Sequence, residues 1–524
     1  MWTQFFLENA HFAINIFAGM VFFAVFWLYY DAEGRSGLKG FLKLFGFLFL
    51  AISFLTHGTF IESSILPSGY FRNELFSWIF YSTKLLGYIL IALGISQEPL
   101  QKHPRANLPL LFGKISLNYL LALFPLSAFA ISISYLRRST KGLERHLKSP
   151  AISFFILSLS EVLYLRVLFE GTSDVNIFKL TSSFGPLWLA EHVLLLFAVL
   201  ILGKWVWGYL LRRLITQFFM IFTLASLIIF LFTTVSFSAL LLKNIQDETL
   251  RKLETDVKVL NFALDAKKEE ALSDALVLTQ NTQVVTAISE SQKDDLADIL
   301  EDYLLTKGEN TLVVVGEGGE VLGRGEDREK IGDSLSNDIL IKRALIGEKS
   351  TSVTSKDAVT AAEISVRGAA PIKNEQGEVL GAVLTGTVID NAFLDGIKRA
   401  TGLEASIYSG NVLSATTLVS PDGKSRPIGI KEENTKVKDK VLKDGVNFLG
   451  PAQILGTPFF TAYLPLKDID EVPVGMLFAG EPQVNALTIA GKSIEMTFIF
   501  AAFLIVFSIL PSYLIAKYIT KQIR

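Results

Sequence analysis

The chain has 524 residues, with 49 Lys and Arg against 51 Asp and Glu, a net charge of −2, and half of its residues hydrophobic. That balance carries no electrostatic footprint for nucleic acid, and a mean hydropathy of +0.42 points to membrane helices. There is no cysteine, which excludes disulfides, thiolate metal sites and a cysteine nucleophile.

The N-terminus, MWTQFFLENAHF, lacks the basic start and small-residue cleavage site of a signal peptide, so it is expected to stay as an anchor. Runs of about 20 apolar residues span the roughly 30 Å apolar core of a bilayer as helices. Seven precede the polar part of the chain, near 8–30, 38–58, 75–96, 109–136, 150–170, 180–210 and 214–242, and an eighth covers 492–516. Tyr29, Tyr30, Trp205, Trp207 and Tyr209 fall at their ends, where amphipathic aromatics settle. Arg137, Arg138, Lys141, Arg145 and Lys148 crowd one loop, Arg212 and Arg213 mark a second, and Lys517, Lys521 and Arg524 a third. All three belong inside. This predicts a multi-pass plasma-membrane protein, in contact with membrane lipid, with 243–490 extracytoplasmic and the C-terminus cytoplasmic. Counting back by alternation puts the N-terminus inside and Lys102 and Arg105 outside, against the same rule. A re-entrant piece near 97–115 would change that parity.

Glu161, Arg166, Glu191 and His192 fall in or near these helices. An unpaired charge there costs roughly 2.5–3.5 kcal/mol on insertion scales. Glu161 and Arg166 are five residues apart, an imperfect helical match, so partners on other helices are expected. The four read either as buried structural pairs or as a second sensing site within the bilayer. The five histidines are scattered and form no spaced metal motif. His57 and His192 alone do not make a haem site, and neither metal nor cofactor is expected.

From Lys243 the chain turns polar with no helix breaker until Gly308. Leu250, Leu253, Val257, Leu260, Leu264, Ala271, Ala275 and Leu278 keep mostly three- and four-residue spacing, the seam of a long amphipathic stalk helix. The seam packs on its own domain, pairs across a dimer, or does both. Beyond it the strand TLVVV, a helix over 337–347 and strands near 350–356 and 362–372 lead to a hairpin-like stretch, RGAAPIKNEQGEVLGAVLTGTVID (367–390). A helix over 390–401 then ends at Gly402. Further strands are predicted near 404–409, 411–418, 446–455, 457–465 and 472–480, and the Gly-, Pro- and charge-rich 419–440 reads as an exposed loop. Strands alternating with short helices imply an antiparallel sheet covered by helices, an α+β arrangement.

The hairpin pattern returns as LPLKDIDEVPVGMLFAGEP. Pro371, Lys373, Asn374, Gly381 and Gly386 recur as Pro465, Lys467, Asp468, Gly475 and Gly480, all at one offset, so the chain holds two copies of one α/β module. With VVVGEGGEVLGRG (313–325), TGLEASIY (401–408) and ATTLVSPDGKSR (415–426), these stretches make 310–482 resemble a double Cache domain, the tandem PAS-like extracellular sensor of bacterial and archaeal receptors. The exit IAKYITKQIR resembles the entry to a HAMP linker. The fold class expected is therefore a membrane α-helical bundle of about eight spans with an extracytoplasmic α+β double Cache domain on a long stalk helix. Its parts are a multi-helix membrane region over 1–213, a membrane helix over 214–242, and a stalk with helical lead-in over 243–308. A membrane-distal module over 309–400 and a membrane-proximal one over 401–490 follow, then a membrane helix over 491–516 and a HAMP-like start over 517–524.

No catalytic constellation is visible: the polar part has no histidine, no P-loop and no GxSxG motif. A ligand site is expected instead. Arg367, with Ser365 on its own strand and Thr385 and Thr387 on the next, offers a planar fork beside hydroxyls that suits the carboxylate of an organic acid. The same Arg367 on a solvated sheet face would be structural. The resemblance places the pocket of such sensors in the membrane-distal module. It does not extend to the Tyr-Arg-Trp-Tyr set of amino-acid-binding members, which is not found here. Tyr408, Thr416, Thr417 and Arg426 in the second module are read as structural.

The reading is a homodimeric signal-transduction receptor for a small extracellular molecule. Its output, of the kind met in chemotaxis or two-component systems, lies in a cytoplasmic partner or in a kinase or cyclase domain beyond Arg524. A membrane carrier or intramembrane receptor regulated by the Cache pair, and an extracellular protein- or cell-wall-binding module, are the alternatives.

Overall fold

In this computed structural model the described residues are 2–33, 37–62, 74–96, 117–141, 144–169, 172, 174–290, 292–356, 362–402, 404–420 and 423–523. The chain divides into two compact units, Met1–Ile245 with Ala486–Arg524, and Gln246–Asn485.

The first unit is helical: α1 (Trp2–Glu33), α2 (Gly37–Gly58), α3 (Glu74–Ser96), α4 (Leu117–Lys141), α5 (Lys148–Tyr164), α6 (Val175–Thr181), α7 (Pro186–Leu210) and the first part of α8 (Leu214–Thr279), with most of the last helix, Gln483–Ile523. Among the described residues seven helices are long and apolar enough to cross a membrane. The predicted span 109–136 is described only from Leu117, as α4, and is not one of the seven. A core of Phe22, Phe47, Phe54, Phe80, Phe124 and Phe154 fills the space between α1 and α5.

Strict alternation of helix direction fails here. Tyr81, near the start of α3, packs on Phe124, near the start of α4, with ring centroids 6.2 Å apart. At the other end Ile95 of α3 and Tyr135 and Arg138 of α4 line one cavity with Lys43. The two helices therefore run the same way, and the count that put the N-terminus inside loses its premise. The early turns of α1 gather with the ends of α2 and α5 and the start of α7. The stretch 97–115 lies outside the described residues.

In the second unit the seam of α8 is buried from Leu253 through Leu264 and from Ala271 to Leu278, with Leu272, Ala275 and Leu278 against the first sheet and its helices. The helix does not run unbroken to Gly308. It stops at Thr279, and Asn281 accepts from the Gln283 N–H to cap α9 (Thr282–Ser289). Next comes α10 (Lys293–Lys307), closed by Gly308 in the left-handed conformation.

The first sheet contains β1 (Thr311–Gly316), β2 (Val321–Arg324), β3 (Ser350–Lys356), β4 (Glu363–Lys373) and β5 (Val379–Val388), with α11 (Ile339–Leu345) between β2 and β3. After α12 (Asn391–Thr401) the second sheet contains β6 (Glu404–Ser409), β7 (Val412–Thr416), β8 (Phe448–Ile454), β9 (Thr457–Lys467) and β10 (Pro473–Pro482), with α13 (Thr435–Lys438) before β8; α14 (Gln483–Ile523) closes the chain. Both sheets are antiparallel and have the same order, β2-β1-β5-β4-β3 and β7-β6-β10-β9-β8. The predicted loop 419–440 is thus partly helical, and its Val437 is buried.

The repeat has a common physical cause at two of its five shared positions. Asn374 Oδ1 accepts from the Gln376 and Glu378 N–H groups, and Asp468 Oδ1 accepts from those of Asp470 and Val472, so both hairpins turn on the same side-chain-capped loop. A Cβ on Gly381 would overlap the Val315 carbonyl oxygen, and one on Gly475 the Tyr408 carbonyl oxygen, because β1 and β6 pass that closely. By contrast Gly377 (φ 86°) has Glu471 (φ 61°) as its counterpart, so the positive φ of this turn tolerates a side chain. Gly381→Ala or Gly475→Ala is expected to destabilise the chain by about 1–3 kcal/mol, and Gly377→Asn by under about 1 kcal/mol. Thermal melts of the three variants check this, and equal losses would refute the close-approach argument.

Candidate functional site

The predicted ligand residues of the first module do not form one group. Arg367 stands across from Gly386, and Thr385 and Thr387 stand across from Gly368 and Val366. Arg367 and Ser365 therefore share one face of the sheet and the two threonines occupy the other. The cause is a β-bulge between Ile372 and Lys373, which moves the pairing by one residue. Without it Thr385 would face Arg367. Thr385 instead donates to the Ala271 carbonyl on α8, and Thr387 donates to Glu309 at 2.6 Å. On the Arg367 face Ser365 bonds the Thr354 hydroxyl at 2.9 Å. The guanidinium reaches Asp338, the N-cap of α11, at 3.8 Å, and its buried Nε has no hydrogen-bond partner among the described residues.

The second module carries a partly open cavity of about 840 Å³. Tyr408 on β6, Leu413 on β7, Pro451 to Ile454 on β8 and the segment Pro427–Asn434 wall it. Glu432 is buried there. Its Oε2 accepts from the Tyr463 hydroxyl at 2.7 Å and its Oε1 from the Asn434 N–H at 2.9 Å. Burial pushes the phenols of Tyr408 and Tyr463 well above their ordinary range, with the nearby Glu432 charge adding to it, so both stay protonated donors. Of the residues read as structural, Arg426 donates to Asp395 of α12 at 2.9 Å and Thr417 to Glu404 at 2.7 Å, but Tyr408 lines the cavity. Sequence reasoning missed Glu432 because it lies in a stretch that reads as exposed loop, with nothing local to mark it as buried.

In the helical unit each of the four ionisable residues has a named partner. Glu161 accepts from the Tyr88 hydroxyl and pairs with Lys84, both at 2.8 Å. Lys84 also stands over the rings of Phe54, Phe80, Phe124 and Tyr164 at 4.9–5.2 Å. It sits in the middle of a predicted span, a signal as readable as Glu161. Arg166 pairs with Glu191 at 3.2 Å and with Glu62 at 3.1 Å. His192 faces His11 at 2.8 Å and donates to the Trp188 carbonyl at 2.9 Å.

Removing one member of a buried pair leaves the other charge uncompensated, at a cost of about 3–5 kcal/mol. Lys84→Met is expected to lower the melting temperature of the detergent-purified chain strongly, and Lys84→Met with Glu161→Met to restore most of the loss. A double variant no better than the single one would show that the pair is not the relevant unit.

The profile of the family described as single Cache domain 3 matches residues 387–492, and no curated protein sequence matches the chain. Among solved structures, the sensory domain of the Campylobacter jejuni chemoreceptor Tlp3 is similar over 47% of this chain and 99% of its own, at 13% identity and a TM-score of 0.33. The periplasmic domain of Vibrio cholerae LuxQ is similar over 45% of this chain and 99% of its own, at 13% identity and a TM-score of 0.31. The E. coli DcuS sensor domain is similar over 27% and 98%, at 20% identity and a TM-score of 0.22. The matched stretch spans α12, all of the second sheet and the first turns of α14. The second module thus matches the single Cache domain 3 profile, on a chain whose other unit is built from membrane-length apolar helices.

Proposed function

We propose that the protein is a transmembrane receptor with two Cache modules in tandem, which senses a small extracellular molecule and relays its binding to a cytoplasmic partner. The observation that carries this reading is the cavity in the family-matched module. Its volume lies within the range of small-molecule sites, and its wall mixes apolar side chains with convergent polar groups in about equal measure. Glu432 keeps acceptor capacity beyond its two bonds. A ligand carrying N–H or O–H donors suits it best.

A second binding position is supported by the buried Nε of Arg367, whose planar fork suits an organic acid. There the first module would bind on the α11 face. Thr385, on the opposite face of the same sheet, holds the Ala271 carbonyl of α8, so a shift of β5 reaches that helix. The coupling needed is modest, typically 1–3 kcal/mol. The paired charges among the helices also suit a carrier or intramembrane receptor under Cache control, in which case charge reversal at Glu161 or Arg166 abolishes function while ligand binding survives.

The reading is tested by thermal shift of the full chain against amines, amino acids, organic acids and sugars. A ligand at 100 times its Kd adds about 2.7 kcal/mol. Binding in the cavity predicts that Glu432→Gln or Tyr408→Ala abolishes the shift and Arg367→Ala preserves it. The reverse pattern assigns the ligand to the first module. Silence across the panel favours a protein- or cell-wall-binding module.

The receptor is expected to work as a homodimer, since Val259 and Phe262 of α8 are exposed, Phe262 to 75%. Phe262→Cys in this cysteine-free chain should form a disulfide-linked dimer in membranes under mild oxidation. A purely monomeric product would remove α8 from the interface.

A further inference from the structure

His11 of α1, His57 of α2 and His192 of α7 meet Glu62 inside the helical unit. One ring nitrogen of His11, one of His57 and one oxygen of Glu62 lie within 4.8 Å of one another. Each imidazole is held by an oxygen on its other nitrogen. His192 Nδ1 donates to the Trp188 carbonyl at 2.9 Å, His11 Nε2 to the His57 carbonyl at 2.9 Å, and His57 Nδ1 to Asn15 Oδ1 at 3.0 Å. The Asn15 orientation is fixed, because its Nδ2 donates to the His11 carbonyl at 2.9 Å.

A neutral imidazole carries one N–H. These three bonds use it in every ring, and leave lone pairs on His192 Nε2, His11 Nδ1 and His57 Nε2. Two of those lone pairs face each other at 2.8 Å, with the Asn15 Nδ2 donor 3.2 Å from His11 Nδ1, and the third faces Glu62 Oε1 at 3.5 Å. Both contacts are repulsive unless a cation stands in them. Two protons would supply it by creating one imidazolium in the His11–His192 pair and a second beside the Glu62 carboxylate, in buried rings whose centroids are 4.8–5.1 Å apart. A single divalent ion relieves both.

We propose that His11, His57 and Glu62, with His192 alongside, form a binding site for a divalent first-row transition-metal ion. Imidazoles anchored through their second nitrogen, and a carboxylate oriented by an arginine, are the usual supports of such ligands. Here Arg166 Nη2 holds Glu62 Oε2 at 3.1 Å and leaves Oε1 toward His57. Two imidazole nitrogens and one carboxylate oxygen, with the His192 nitrogen alongside, favour Zn²⁺, Co²⁺, Ni²⁺, Cu²⁺ or Fe²⁺ over Mg²⁺ and Ca²⁺. The site joins the consecutive helices α1 and α2 to α7, which is distant in the sequence.

The test uses the full chain purified in detergent on a tag without histidine, stripped with a chelator and titrated with Co²⁺ or Zn²⁺. Expected are about one tightly bound ion per chain and, for Co²⁺, visible ligand-field bands. The uptake should be lost in a His11→Ala/His57→Ala variant and retained in His146→Ala, whose ring lies apart against Tyr209. Wild-type protein that binds no Co²⁺ or Zn²⁺ after stripping overturns the proposal and assigns the cation to protons, whether or not the double variant folds. Equal uptake by wild type and a folded double variant overturns it as well.

Discussion

An ionised side chain between apolar helices has to be matched where it sits, and the helical unit is arranged around that requirement. Lys84 and Glu161 tie α3 to α5, with Tyr88 donating to the same carboxylate oxygen and four aromatic rings closing over the ammonium. Arg166 ties the end of α5 to Glu191 on α7 and to Glu62 beyond α2. Desolvation offsets much of the Coulomb gain in such pairs, so their main effect is to penalise any other register of the helices. Phenylalanine contacts alone would allow neighbouring helices to slide or rotate. A buried lysine with one carboxylate in reach does not.

The second unit obeys a different constraint, the spacing of strands. At Gly381 and Gly475 the neighbouring strand's carbonyl fills the space a Cβ would need, so both copies keep glycine. The turn beside each is less demanding, and there the copies differ. They differ most in what covers the sheet. In the second copy the segment between β7 and β8 forms one wall of the partly open cavity, with Glu432 carried inward on it.

Much of this was legible in the sequence because the repeat exposes it. Strand limits, the connecting helix ending at Gly402 and the paired hairpins follow from period-two alternation and from turn residues. The faces of the first sheet were not legible, since one bulge at Ile372–Lys373 exchanges the partners of Arg367, and a bulge leaves no residue signature. The partners of the buried charges were equally hidden. His11 and His192 are 181 residues apart, and only the packing of α1 against α7 brings them together. Helix direction stayed open in the sequence because alternation is an assumption about loops, and α3 and α4 run the same way.

Two helices contribute to both units, and they differ mechanically. The 66 residues of α8 include no proline and no glycine, so its backbone hydrogen bonds have no built-in gap. In α14, Pro511 cannot donate to the Phe507 carbonyl, which leaves one weak turn within the apolar stretch. Under a bending load α14 is therefore the compliant member and α8 the stiff one. Motion that arrives along α8 keeps its direction over the whole helix, whereas motion along α14 can be redirected at a single residue.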